Sequence, residues 1–185
     1  MLVLGIDPGI ATTGYGLIKS NQAGEPELVA YGVLSTDATS STSKRLEYLY
    51  NQLRDLINDY QPDECALEKL FFQKNIKTAM TVSEARGVIE LCFSQAGYEP
   101  AQYTPNEVKQ AVTSSGNASK HQVQEMVKRL LALPGLPGPD AADALGLAIT
   151  HAHAGKAMAR LAAADGLGGV SKMGAKASYR AGRSR

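Results

Sequence analysis

The sequence predicts an α/β fold, a mixed five-stranded sheet with three antiparallel strands followed by parallel strands, flanked by helices. Three apolar segments opening at Leu2, Thr12 and Leu28 are joined by connections too short to hold a helix, so they pair as an antiparallel meander. A whole helical pattern then precedes Glu64-Cys65-Ala66-Leu67-Glu68, which leaves room for a crossover returning parallel to the first strand. At 185 residues the chain is long enough for one domain with a proper core and short for two.

Leu2-Val3-Leu4-Gly5-Ile6 reads as a strand buried on both faces, and it stops at Asp7-Pro8-Gly9, a carboxylate followed by a turn pair. That places Asp7 at the carboxyl end of a central strand, where open α/β sheets bind ligands. Asp7 is therefore either a metal-binding or acid/base carboxylate or an aspartate that caps its own turn. Residues 12–18 form the second strand and residues 28–34 the third, after a turn-rich stretch from 21 to 26. A Ser/Thr-rich stretch leads into a helix on which Leu46, Leu49, Leu53, Leu56 and Ile57 recur at helical spacing, ended by Tyr60-Gln61-Pro62.

If residues 64–68 pair with the first strand, Glu68 ends beside Asp7. Two carboxylates at one sheet edge repel and desolvate one another unless a cation sits between them. Otherwise Glu68 is a surface glutamate at a strand end. Phe71 and Phe72 follow, flanked by Lys69, Lys74 and Lys77. Adjacent rings do not both face one core, so one is an exposed stacking platform for an unpaired base, or both anchor the next helix or a subunit interface.

The helix predicted over 75–96 is apolar on more than one stripe, which points to a second buried face, most simply in a dimer. Residues 98–103 make a short edge strand because of Pro100. Thr104 to Glu107 and Ser119 to Gln122 are capping boxes that open two helices carrying Lys109 and Lys120. The second helix turns Val123, Met126, Val127, Leu130 and Leu131 inward. Both lysines could meet phosphates, or be simply solvated.

A proline-rich loop over 134–139 delivers Asp140 and Asp143, an i, i+3 pair on one helix face with alanines between them that allow close approach to the sheet. The pair suggests a shared cation, with ordinary helix capping as the competing explanation. His121, His151 and His153 read as ordinary surface or boundary histidines, with a role near the site as the alternative. Cys65 and Cys92 lie in apolar patterns without metal-ligand spacing and read as small core residues.

The formal net charge of +1 hides an asymmetry: residues 156–185 carry seven Lys or Arg against one Asp, which leaves residues 1–155 acidic. An acidic body with a basic, glycine-containing tail suits a protein that approaches a polyanion while holding cations on carboxylates; a disordered tail that only aids solubility is the plainer alternative. No run of about 18 apolar residues and no leader pattern is present, so a soluble cytoplasmic protein that does not engage a membrane is expected.

Taken together, these motifs resemble those of RuvC-type Holliday junction resolvases, in the ribonuclease H-like superfamily. The likeness rests on GIDPG at 5–9, TGYG at 13–16, ALE at 66–68, FFQKN at 71–75, EARG at 84–87, VKQAV at 108–112 and DAADALGLAITHAH at 140–153. It covers residues 1–155 as a nuclease domain and leaves 156–185 as the basic tail. The resemblance implies a structure-selective DNA endonuclease of recombination and repair that resolves four-way junctions by symmetric paired nicks. It implies that Asp7, Glu68, Asp140 and Asp143 bind two Mg²⁺ per subunit, with Mn²⁺ as a substitute, for a two-metal in-line displacement. It further implies a homodimer working with a branch-migration complex, and DNA contacts from Phe71, Phe72, Lys74, Lys109 and Lys120. Phe71 matches the stacking aromatic of the family, while Phe72 beside it competes for that role. The rival readings are a non-cleaving junction-binding scaffold and a ribosomal RNA-processing nuclease of the same superfamily. Sugar-kinase and actin-like ATPases share the opening turn but need two such domains.

Overall fold

In a computed structural model that describes residues 1–21, 25–69 and 76–164, the chain forms a five-stranded sheet between two helical layers. The elements run β1 Leu2–Asp7, β2 Thr12–Ser20, β3 Pro26–Ser35, α1 Thr42–Tyr60, β4 Glu64–Glu68, α2 Ile76–Gln95, β5 Ala101–Tyr103, α3 Pro105–Thr113, α4 Lys120–Leu130 and α5 Pro139–Ala164. The sheet order is β3-β2-β1-β4-β5. β1 pairs antiparallel with β2 and parallel with β4, and β4 pairs parallel with β5, so the predicted mixed sheet is present in full.

Strand alternation sorts the two cores. Leu4 and Ile6 of β1, with Cys65 and Leu67 of β4, pack against α1 and α2 through Leu49, Leu53, Ile57, Ile89 and Phe93. Val3 and Ala66 face the other way, into a core built with Val108, Val112, Val123, Val127, Leu145 and Ile149 from α3, α4 and α5. By the same parity Asp7 and Glu68 point toward the α3–α5 layer. Both cysteines are free and buried, as expected of small core residues.

α5 lies against β1 and β2 because glycines open a seat for it. A β-carbon on Gly5 would stand 2.1 Å from the carbonyl oxygen of Ala144, and one on Gly14 would stand 2.0 Å from that of Asp140. On the helix side Ala141, Ala144 and Ala148 are buried small residues, the close approach that the alanines implied. Both capping boxes form with reciprocal bonds, Thr104 with Glu107 and Ser119 with Gln122, which fixes the starts of the helices carrying Lys109 and Lys120. α1 ends with Gln61 in the left-handed conformation, its N–H donating to Ile57.

His151 on α5 bridges the sheet, with Nδ1 2.8 Å from the Tyr103 hydroxyl and Nε2 2.5 Å from Glu64 Oε2. It thus pins α5 to β4 and β5 two helical turns beyond Asp143. α5 continues past Gly155 to Ala164. Phe71, Phe72 and Lys74, and residues 165–185 of the tail predicted over 156–185, lie outside the described residues, while its first part, 156–164, is the end of α5. Among the described residues no helix is long and apolar enough to cross a membrane.

Candidate active site

Asp7 closes β1, and the register Ile6 to Leu67 carries Glu68 beside it at the same end of β4. Asp143 comes from the first turns of α5, which the glycine seat lowers onto the strands. These three carboxylates share a cavity of about 370 Å³ with Pro8, Lys109 and Lys120, and its apolar wall includes Val108, Val123 and Leu147. Asp140 stands at its margin, where Thr12 Oγ1 donates to Asp140 Oδ2 at 2.5 Å. Thr13, fully buried, donates to the carbonyl of Gly9 at 2.6 Å and closes the turn that follows Asp7.

The electrostatics are those of a crowded acidic site. Burial above all, then the charges of Glu68 and Asp143, a hydrogen bond shared with Glu68 and the charge of Asp140 push the Asp7 carboxyl up to about 9. Asp7 therefore holds a proton at neutral pH in this arrangement and donates it to Glu68. Burial also raises Glu68 above the ordinary carboxylate range, with Asp143 adding to it, while the bond from Asp7 and the charges of Lys120 and Arg86 pull the other way. Asp143 is raised by burial and partly relieved by Lys120 and Lys109. Lys120 Nζ lies 3.5 Å from Asp143 Oδ2, and Asp143 foremost holds the ammonium above its usual range, so it stays charged.

Each carboxylate is thus turned to a donor: Glu68 to Asp7, Asp140 to Thr12, Asp143 to Lys120. In this arrangement no three His, Cys, Asp or Glu groups among the described residues already converge as a metal cage. The donor set nonetheless fits hard divalent cations, which take carboxylate oxygens, and the proton stored on Asp7 marks a place where a cation relieves the same repulsion.

The sequence placed Asp7, Glu68, Asp143, Lys109 and Lys120 here, and they meet; Asp140 joins through its charge and through Thr12. None of the histidines lines this cavity: His151 serves the fold, and His121 lines a separate cleft beside α4 with Arg129 and Glu125. Sequence reasoning missed Thr12 and Arg86. Arg86 on α2 is 7% exposed, donates through one nitrogen to the main-chain oxygen of Glu68 and pairs through the other with Glu90 at 2.8 Å. A charged residue inside an otherwise apolar helix pattern was the available signal.

Comparison with known proteins adds independent findings. Residues 3–151 match the family model described as crossover junction endodeoxyribonuclease RuvC. The crossover junction endodeoxyribonuclease RuvC of Albidiferax ferrireducens is 48% identical over 187 residues, covering 100% of both chains. That of Caldicellulosiruptor saccharolyticus is 51% identical over 152 residues, covering 82% of this chain and 92% of its own. Among solved structures, Thermus thermophilus RuvC in complex with Holliday junction substrate superposes with a TM-score of 0.80 at 31% identity, covering 85% of this chain and 96% of that one.

Proposed function

The chain belongs to the RuvC family of crossover junction endodeoxyribonucleases, and from that premise we propose that its carboxylate cavity cuts the backbone of four-way junction DNA in recombination and repair. The observation that carries this reading is the meeting of Asp7, Glu68 and Asp143 with Lys109 and Lys120 in one cavity at the carboxyl edge of the sheet.

Asp7, Glu68, Asp140 and Asp143 would hold two divalent cations per subunit, Mg²⁺ with Mn²⁺ as a substitute. Bound there, such ions lower the pKa of an attacking water and stabilise the departing 3′ oxygen in an in-line displacement. The protein's own groups prepare that state. With a cation bound, Asp7 would be held ionised and Lys120, now paired with Asp143, would be free to meet a phosphate, while Thr12 fixes one oxygen of Asp140. Lys109 and Lys120 supply positive charge where the phosphates enter, so the acidic site does not repel its substrate. Phe71 or Phe72, with Lys74, would meet the unpaired bases at the crossover by stacking.

We read the enzyme as a homodimer joined through α2. Met80 is 60% and Leu91 52% exposed, on a stripe that also carries Gly87. Among the described residues a β-carbon at Gly87 would meet nothing within 4 Å, so no contact among them explains a helix-interior glycine that costs about 1 kcal/mol against alanine. A partner helix packed closely on that stripe supplies the reason. Two sites in fixed register would nick two strands symmetrically. By family analogy the enzyme works beside a branch-migration complex in the cytoplasm, with residues 1–155 as the nuclease domain and the basic residues from 156 onward as an appendage for DNA.

Labelled four-way junctions, matched linear duplexes and structured RNA, incubated with the protein and Mg²⁺, test the proposal. Paired symmetric nicks confined to the junction are expected. Tight binding without nicks, or cleavage of RNA instead, overturns it.

A further inference from the structure

α2 meets the end of β4 through a buried charged side chain, beside Val82, which lines the cavity itself. Arg86 leaves the helix on its inner face, and its guanidinium donates to the main-chain oxygen of Glu68, the last residue of β4. Its second terminal nitrogen pairs with Glu90 one turn along the same helix, at 2.8 Å, which fixes the fork of the guanidinium. Beyond Glu68 the strand ladder has one more backbone bond, from Lys69 N–H to the Tyr103 carbonyl at 2.8 Å. The edge of β4 that carries the carboxylate is thus held from one side by β5 and from another by Arg86.

A charged group with an exposure of 7% is costly to bury unless its bonds are made, and Arg86 spends its bonds on Glu68 and Glu90. An apolar side chain at this buried position would avoid that cost. The outward face of the same helix carries Met80, Gly87 and Leu91. α2 therefore stands between the surface assigned above to the partner subunit and the strand end that presents Glu68.

We propose that Arg86 is a positioning residue for the cation site: it holds the end of β4 so that Glu68 presents its carboxylate beside Asp7, and it transmits the seating of α2 to that carboxylate. This rests on the reading of the four carboxylates as cation ligands. Groups that orient metal ligands at one remove change metal affinity by about 10- to 100-fold when removed. Arg86 acts through the main chain of a ligand, so the lower end of that range is expected.

The test is binding of Mn²⁺ to the full-length protein, read by the loss of free-ion electron paramagnetic resonance signal without DNA, for wild type, Arg86→Gln, Arg86→Lys and Glu90→Gln. Thermal melting and junction binding in EDTA are measured on the same samples. Arg86→Gln is expected to weaken Mn²⁺ binding about tenfold with junction binding in EDTA preserved, and Arg86→Lys to recover part of the loss. Glu90→Gln, which frees the guanidinium without removing it, is expected to show a smaller loss in the same direction. Unchanged Mn²⁺ binding in Arg86→Gln with a lowered melting temperature makes Arg86 a structural anchor and overturns the proposal. If Arg86→Gln does not fold, Glu90→Gln decides alone, and unchanged Mn²⁺ binding there overturns it. A wild-type protein that binds no Mn²⁺ at millimolar concentration contradicts the cation site itself, a failure separate from that of Arg86.

Discussion

The main-chain carbonyl oxygen of Asp140 lies 2.0 Å from the point where Gly14 would carry a β-carbon. The end of α5 that carries Asp140 and Asp143 is therefore set down on the strand next to Asp7, since Gly14 is the pairing partner of Asp7 across β1 and β2. Gly14→Ala forces helix and strand apart. Overpacking of this kind costs about 3 kcal/mol, and the displaced element carries Asp140 and Asp143. Urea denaturation is expected to show that loss, and cleavage to fall further than the folded fraction does; a fall only in proportion to folding would detach the glycine seat from the site.

The proton on Asp7 gives a pH signature. An acid that ionises at an ordinary 3.8 and is pushed to about 9 by folding is neutral in both states at low pH. As pH rises above 3.8 the unfolded chain releases a proton that the folded state keeps, so stability falls until about 9. Glu68 and Asp143, also raised, act in the same direction. In EDTA the melting temperature of the wild type should drop between pH 5 and pH 9, and Asp7→Asn should flatten that slope and melt higher at alkaline pH. Saturating Mg²⁺ should flatten the wild-type slope as well, since the cation takes over from the proton. Scanning calorimetry across that range checks each part.

Thr12 donates to Asp140 across 128 residues of sequence. Thr12→Val keeps the shape and removes the donor, at a stability cost of about 1 kcal/mol. If the bond orients a ligand carboxylate, cleavage falls about tenfold through kcat, and Thr12→Ser restores it. Single-turnover kinetics on a labelled junction separate this from a change in junction affinity, which should not move.

Much of this site was legible because its signals are local. A buried apolar run ending on Asp7-Pro8-Gly9, a second ending on Glu68, and capping boxes at Thr104 and Ser119 each declare an element within a few residues. Their meeting was legible too, because a helix between two strands forces a parallel return. What escaped depends on tertiary approach. Gly5 and Gly14 read as parts of the first and second strands, and only the packed helix reveals that a β-carbon would strike it. Thr12 and Arg86 found their partners through the fold, and His151 its contacts with Tyr103 and Glu64 on strands distant in sequence, where no spacing rule reaches.

Single alanine substitutions at Phe71 and Phe72 test which ring carries the proposed stacking on DNA. Stacking of one base on one ring is worth about 1 to 3 kcal/mol, so the ring that meets DNA should weaken opening or cutting of the junction by that amount with little change in melting. On family resemblance Phe71→Ala is expected to do so. Fluorescence of 2-aminopurine placed at the crossover reads strand opening directly. A lowered melting temperature with unaltered junction handling would make that ring part of the core or of a subunit interface.

The most direct test of the proposal that these carboxylates hold cations uses Glu68→Gln. This substitution keeps the shape and hydrogen-bonding capacity of the side chain that accepts from Asp7 and removes its charge. Wild type and variant are incubated with an end-labelled four-way junction in Mg²⁺ or in EDTA, and both binding and nicking are measured. Paired nicks are expected from the wild type in Mg²⁺ alone, none from the variant, and equal junction binding by both in EDTA. Nicking by Glu68→Gln at the wild-type rate, or by the wild type in EDTA, would contradict the proposal.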